Sequence, residues 1–158
     1  MNHAKIIGTG SYLPKTILTN KDLESRLDTT DEWIVSRTGI KERHIAGPDE
    51  KTSDLAYEAA LGAIASANIS PSDIDLIILA TTTPDKIFPS TACTVQARLG
   101  IKECPAFDVQ AVCTGFVYAL TIAEKFIKTN SAKNVLVIGA DRMSSITDYD
   151  DRSNAILW

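Results

Sequence analysis

A layered α/β fold with a central, mostly parallel mixed sheet is the architecture this sequence predicts, and three observations carry it. First, residues 74–80 (Ile-Asp-Leu-Ile-Ile-Leu-Ala) and 134–140 (Asn-Val-Leu-Val-Ile-Gly-Ala) are short, nearly continuous apolar runs, the pattern of strands buried on both faces. Second, Leu55, Ala56, Ala59, Ala60, Ala63, Ile64 and Ala67 fall on one stripe at helical spacing, with the small residues that close packing on a sheet requires. Third, strand-like and helical patterns alternate along the chain, which calls for right-handed crossovers between parallel strands.

The elements follow in order. Residues 5–9 read as a short buried strand, broken by Gly8, Gly10 and Pro14. Thr19 or Asn20 caps a short helix carrying Leu23 and Leu27. Thr29-Thr30-Asp31-Glu32 fits a capping box with Thr29 as the cap and Glu32 three residues on. It opens a helical turn or two with Trp33, Ile34 and Arg37, which Gly39 stops. Residues 40–45 make a charged strand suited to a sheet edge, and 47–50 a loop. The helix 52–68 is the clearest in the chain, and Ser70-Pro71-Ser72-Asp73 turns out of it with proline at a first-turn position. Strand 74–80 leads into a loop over 81–89; Ser90 then caps a short helix ended by Gly100. Residues 106–109 form another strand, followed by a helix from Cys113 to about Lys128 and the strand 134–140. Residues 141–154 read as a polar loop, and Ala155-Ile156-Leu157-Trp158 as a strand beginning.

Length and composition bound the rest. The 158 residues make one domain, 1–158, large enough to bury a core. With 44% hydrophobic and 23% charged residues the chain reads as soluble and globular. A net charge of −4 argues against a nucleic-acid backbone as main ligand. No apolar run approaches the ~20 residues of a membrane span, and the N-terminal pattern has no signal-peptide core. Cys93, Cys104 and Cys113 are odd in number and too widely spaced for a Cys-x-x-Cys motif. That speaks against a disulfide framework or a metal site and for a reducing cytoplasm. A strand that starts at Ile-Leu-Trp leaves an apolar edge unpaired, so completion by something outside these residues is expected.

Cys113 is the first candidate for chemistry. It sits where strand-like spacing (Phe107, Val109, Val112) gives way to helical spacing (Phe116, Leu120, Ala123, Ile127). A thiol at a helix start faces free N–H groups and the positive end of the helix, which favour thiolate. Gly115 allows another backbone close to that start, and the Cys113 N–H could serve an oxyanion. The plainer alternative is a buried structural cysteine. Trp33 and Arg37 lie four apart, hence on one helix face, and suit a purine ring and a phosphate; a core tryptophan beside a solvated arginine is the plainer alternative. Arg142 and Arg152 flank the acidic stretch Asp148-Tyr149-Asp150-Asp151. Phe88, between Ile87 and Pro89, covers core or faces a pocket or partner. His3 and His44 both read as surface residues, so the sequence assembles no Cys-His pair.

Five stretches carry a resemblance: Ile-Ile-Gly-Thr-Gly-Ser-Tyr-Leu-Pro at 6–14, Asp-Glu-Trp-Ile-Val-Ser-Arg-Thr-Gly-Ile-Lys-Glu-Arg-His at 31–44, Phe-Pro-Ser-Thr-Ala-Cys at 88–93, Cys-Pro-Ala-Phe-Asp-Val at 104–109, and Ala-Val-Cys-Thr-Gly-Phe at 111–116. With these the chain resembles, essentially end to end, the N-terminal half of the β-ketoacyl-acyl-carrier-protein synthase III family. The resemblance implies a thiolase-like fold, of which this chain would be one half of the layered αβαβα arrangement. It implies a decarboxylative condensation that starts fatty-acid synthesis. Cys113 would take an acetyl or short acyl group from acyl-CoA, and a malonyl-carrier protein would lose carbon dioxide and attack the thioester. Acyl-CoA would be a substrate, with no further cofactor. Thr29, Trp33, Arg37 and Arg152 would contact coenzyme A, with the adenine held between Trp33 and Arg152. Phe88 would cross a homodimer to line the partner's acyl pocket.

The resemblance also implies what is missing. The family's catalytic histidine and asparagine belong to a C-terminal half with no match here, so full activity would need that half. Around the nucleophile, Gln110, Val112 and Thr114 stand where members commonly carry alanine or serine, which bears on acyl preference. Two rival expectations follow: a condensing enzyme for other acyl or aryl thioesters in secondary metabolism, and a non-catalytic subunit that binds CoA or a carrier protein.

Overall fold

A computed structural model describes residues 3–158; Met1 and Asn2, the start of the N-terminal pattern, lie outside them. The chain packs as two compact units. One comprises Met1–Tyr12 and Lys51–Asp141, the other Leu13–Glu50 and Arg142–Trp158.

The first unit is a helix–sheet–helix sandwich. Strand β3 (Leu76–Ala80) is central, with β4 (Ala106–Val109) and β5 (Val135–Gly139) parallel on either side. All five residues of β3 are buried, as a strand covered on both faces must be. Its alternation divides the core. Ile77 and Leu79 join Ala56, Ala60 and Ile64 of α3 (Thr52–Ala67) and Ala92 and Val95 of α4 (Thr91–Arg98). Leu76, Ile78 and Ala80 face Ala119 and Ala123 of α5 (Gly115–Lys128). Ser90 caps α4 as its hydroxyl accepts from the Cys93 N–H, and Asn68 ends α3 in the left-handed region. β5 is an edge strand rather than one buried on both faces.

The expected strand at 5–9 does not form. Gly8 and Gly10 lay the backbone directly on α3: a Cβ at Gly8 would stand 2.5 Å from the Ala67 nitrogen, and one at Gly10 2.3 Å from the Ala59 carbonyl oxygen. The segment is therefore held against the helix, across a groove from β5, with no ladder partner. The groove has a volume of 570 Å³.

The second unit pairs β1 (Thr16–Thr19), which the sequence pattern does not announce, with β2 (Glu42–Ile45) in an antiparallel ribbon. Thr19 caps α1 (Asn20–Glu24) in a capping box with Asp22, and Gly39, at φ 75°, ends α2 (Asp31–Thr38). The cap of α2 is Thr30, not Thr29: Thr30 is extended at φ −136°, and its hydroxyl accepts from the Trp33 N–H at 3.1 Å. Leu23, Ile34, Ala155 and Ile156 form the core. Within it Arg43 is buried and donates to Asn20 Oδ1 and, at 2.6 Å, to the Ile156 carbonyl. Asn20 in turn donates to Asp31 Oδ1 at 2.7 Å and to the Ile40 carbonyl at 2.8 Å. Burial pushes the Arg43 guanidinium below its ordinary pKa.

Residues 155–158 are not the start of a strand. Asp151 caps a short helix α6 (Arg152–Ala155), and Leu157 N–H bonds back to the Asn154 carbonyl at 3.0 Å. A four-residue apolar run does not distinguish strand from buried turn; the Asp-x-Ser cap decides it. His44 is half-buried rather than on the surface, with Nδ1 2.6 Å from the Pro14 carbonyl oxygen and Nε2 3.6 Å from Glu42.

Candidate active site

The first unit carries the nucleophile candidate. β4 ends at Val109, and a single tight turn, Val112–Thr114, joins it to α5. Cys113 sits in that turn and is exposed, which removes the plainer alternative of a buried structural thiol. The turn is tied at both ends. Thr114 donates both its N–H and its hydroxyl to the Ala111 carbonyl, at 3.2 Å and 2.9 Å. Gly115 is buried against Ala80, where an added Cβ would meet the Ala80 methyl at 3.1 Å. Val112 itself has φ 42°, a conformation the sequence pattern gave no sign of.

Around the thiol the surface is apolar: Val112, Phe116, Val117 and Tyr118 are all exposed. Phe88 is 81% exposed and its neighbour Ile87 95%, so Phe88 does not plug core. Asp108, one residue from the end of β4, accepts from the N–H groups of Thr91 and Ala92 at 2.7 Å and 2.8 Å. It thereby pins the start of α4 to the strand that leads to Cys113. Its only sequence signal is an acid inside an apolar strand.

The second unit carries the ring-and-cation cluster. Trp33 on α2 has the Arg37 guanidinium 5.9 Å from its ring centroid, as four-residue spacing implies, and the Arg152 guanidinium 4.2 Å from the same centroid. Arg152 comes from α6, far along the chain, and no local pattern links it to Trp33. The two now touch, where the resemblance implies a gap filled by adenine. Thr29, two residues before α2, keeps a buried hydroxyl with no hydrogen-bond partner among the described residues. Arg142 instead donates to the carbonyls of Gly47 and Pro48 at 3.1 Å and 3.2 Å.

Comparison with known proteins fits this geometry. A family model described as 3-oxoacyl-[acyl-carrier-protein] synthase III matches residues 107–158. The β-ketoacyl-[acyl-carrier-protein] synthase III of Thiobacillus denitrificans is 61% identical over 159 residues, covering 100% of this chain and 50% of the relative. The crystal structure of 3-oxoacyl-[acyl-carrier-protein] synthase III from Aquifex aeolicus superposes with a TM-score of 0.93 at 59% identity, covering 98% of this chain and 50% of that one. The priming β-ketosynthase of the R1128 polyketide pathway also superposes at 0.93, with 35% identity over 98% of this chain and 46% of its own. The chain spans about half the length of the curated relatives it matches.

Proposed function

Because this chain belongs to the 3-oxoacyl-[acyl-carrier-protein] synthase III family, we propose that it is the nucleophile-bearing, N-terminal half of such a synthase. The observation that carries the reading is Cys113, exposed on a tied turn at the start of α5 within the motif Ala-Val-Cys-Thr-Gly-Phe. Its thiolate attacks the carbonyl of acetyl-CoA or another short acyl-CoA; the coenzyme A thiolate leaves, and the acyl group remains as a thioester on Cys113. Malonyl-carrier protein then loses carbon dioxide, the carbanion attacks that thioester, and expulsion of the Cys113 thiolate gives a 3-oxoacyl-carrier protein. The second half-reaction draws on groups in the remaining half of the family's length.

Trp33, Arg37, Arg152 and Thr29 take the nucleotide end of coenzyme A, and Arg152 must leave Trp33 for adenine to enter. Phe88 reaches across a homodimer toward the partner's acyl pocket; its exposure supports that reading. No further cofactor is required, and a reducing cytoplasm suits an unpaired nucleophilic thiol. Among the described residues no helix is long and apolar enough to cross a membrane.

The test is acetyl loading by intact-mass spectrometry after incubation with acetyl-CoA, with the C-terminal half of the Thiobacillus relative supplied as a second polypeptide. One acetyl group per chain is expected, and none on Cys113→Ala. Equal labelling of the alanine variant sinks the reading. A second reading, a priming synthase of secondary metabolism, is supported by the likeness to the R1128 enzyme and by Gln110, Val112 and Thr114 beside the nucleophile. Competition between acetyl-CoA and longer or aryl-CoA thioesters separates the two.

A further inference from the structure

Asn20 and Arg43, 1% and 5% exposed, form a buried polar chain in the second unit, and its ends meet the two elements that build the ring-and-cation cluster. On one side the Asn20 amide nitrogen donates to Asp31 Oδ1 at 2.7 Å and to the Ile40 carbonyl at 2.8 Å. One side chain thus ties the start of α2, which carries Trp33 and Arg37, to the residue just past its end. On the other side Arg43 donates from one guanidinium nitrogen to Asn20 Oδ1 and from the other to the Ile156 carbonyl at 2.6 Å. Ile156 closes α6, which carries Arg152. A four-residue helix does not hold itself together, and a cation on its last carbonyl satisfies a group that the helix leaves open. For stability alone Arg43 is a poor choice. Its buried Nε has no hydrogen-bond partner among the described residues, and apolar residues of similar volume often replace buried ionic groups without loss.

We infer that Arg43 is a positioning residue: by tying the Ile156 carbonyl to Asn20 it sets Arg152 over the face of Trp33. The inference deepens, and rests on, the reading of this cluster as the nucleotide end of a coenzyme A site. The tie fixes the backbone of α6 relative to α2 and leaves the exposed Arg152 side chain free to swing. An entering base then meets a ring and a cation that stand on fixed elements. Without the tie, the segment after Asp151 has to be ordered as the ligand binds, and that ordering weakens affinity. Removing Arg43 and removing Arg152 cost the same contact, so the two losses overlap rather than multiply.

The experiment is a double-mutant cycle on the 158-residue chain: wild type, Arg43→Met, Arg152→Ala and the pair together, with Arg43→Lys carrying the same cycle if R43M does not fold. Folding is read by circular dichroism and coenzyme A affinity by calorimetry. The contact itself is read by nuclear magnetic resonance, from the Arg152 side-chain protons that the Trp33 ring shifts, identified by their loss in R152A. R43M is expected to fold, to lose most of that ring shift and to bind coenzyme A about fivefold more weakly. R43K, which reaches one of the two partners, should fall between, and R43M/R152A should bind no more weakly than R152A. The inference is overturned if R43M keeps the Arg152 ring shift, or if the two losses multiply in the double variant, as an effect on the fold alone would make them. It is overturned equally if neither Arg43 variant folds, which would make Arg43 a structural core residue. If the ring shift collapses in R43M but wild type binds no coenzyme A, positioning stands and the coenzyme A reading falls. If R152A weakens binding while R43M binds as wild type does, the coenzyme A reading stands and positioning falls.

Discussion

Arg152 lies 4.2 Å from the Trp33 ring centroid, and that distance decides what the pair can hold. A planar base between two flat groups needs about 7 Å, twice a contact distance of roughly 3.5 Å. The cluster is therefore closed, and the proposed coenzyme A site requires Arg152 to swing outward before adenine can enter. Its exposed position lets it do so without disrupting the core. Adding acyl-CoA is expected to change Trp33 fluorescence in a Trp158→Phe background. Arg152→Ala and Trp33→Ala should each weaken binding by about tenfold, or ~1.4 kcal/mol; unaltered affinity in both, by calorimetry, would remove coenzyme A from this cluster. A second single residue, Asp108, acts on the fold. Its carboxylate accepts from two N–H groups at the start of α4, and Thr91 is only 1% exposed. Asp108→Ala leaves a buried donor unpaired and is expected to lower stability by about 2 kcal/mol. Asp108→Asn, which still offers one acceptor, should cost less in the same denaturant titration.

Helix α6 holds Arg152 in place, and its cap is acid-labile. The Asp151 carboxyl lies below its ordinary pKa, chiefly because the Ser153 hydroxyl donates to it, then the Ser153 N–H, with Asn154 adding a third bond. A carboxylate depressed in the folded state contributes stability that is full above its unfolded value of about 3.9 and is lost as pH falls through the folded value. Asp22, held down by the Thr19 hydroxyl and N–H, does the same for α1. On acidification from about pH 5 to about pH 2 the Trp33 signal should therefore change before the global transition. Asp151→Asn caps without titrating and should flatten that change; an identical pH profile would show that the cap is not responsible. Elements were legible where one stripe or one run dominates. The helix at 52–68 and the strands at 74–80, 106–109 and 134–140 form within two residues of expectation. Failures fell where two local patterns compete. Thr29 and Thr30 both offer a capping hydroxyl, and only backbone conformation chooses between them. Residues 5–9 have a strand's composition, but Gly8 and Gly10 bind the segment to a helix instead. Gly10→Ala is accordingly expected to destabilise the first unit by about 1–3 kcal/mol, since its Cβ would meet backbone rather than a movable side chain.

The candidate site was partly legible for a related reason. Cys113 announces itself by a change of period and Trp33 with Arg37 by four-residue spacing, both local signals. Arg152 over Trp33 and the left-handed Val112 are products of tertiary packing, and no window of sequence contains them. The same limit applies to the open edge of the sheet, which becomes visible only once strand order is known. Ala140 N–H donates to the Ala80 carbonyl at 3.1 Å. By strand alternation the amides of Leu136 and Ile138 face β3 as well, while those of Val135, Val137 and Gly139 point away from it. Beyond them lies the 570 Å³ groove, lined by Ile7, Ala60, Phe116, Leu120 and Ala123, with Ile6 74% exposed at its wall. An apolar groove beside a row of outward amides is a surface on which strands add. The 158-residue chain alone is therefore expected to self-associate over the micromolar range and to bind a hydrophobic dye. Ile6→Lys, which places a charge at the exposed wall without touching the core, should suppress both. Sedimentation velocity decides the matter: a single monomeric species at every concentration, with no dye bound, would mean that the groove is closed in solution.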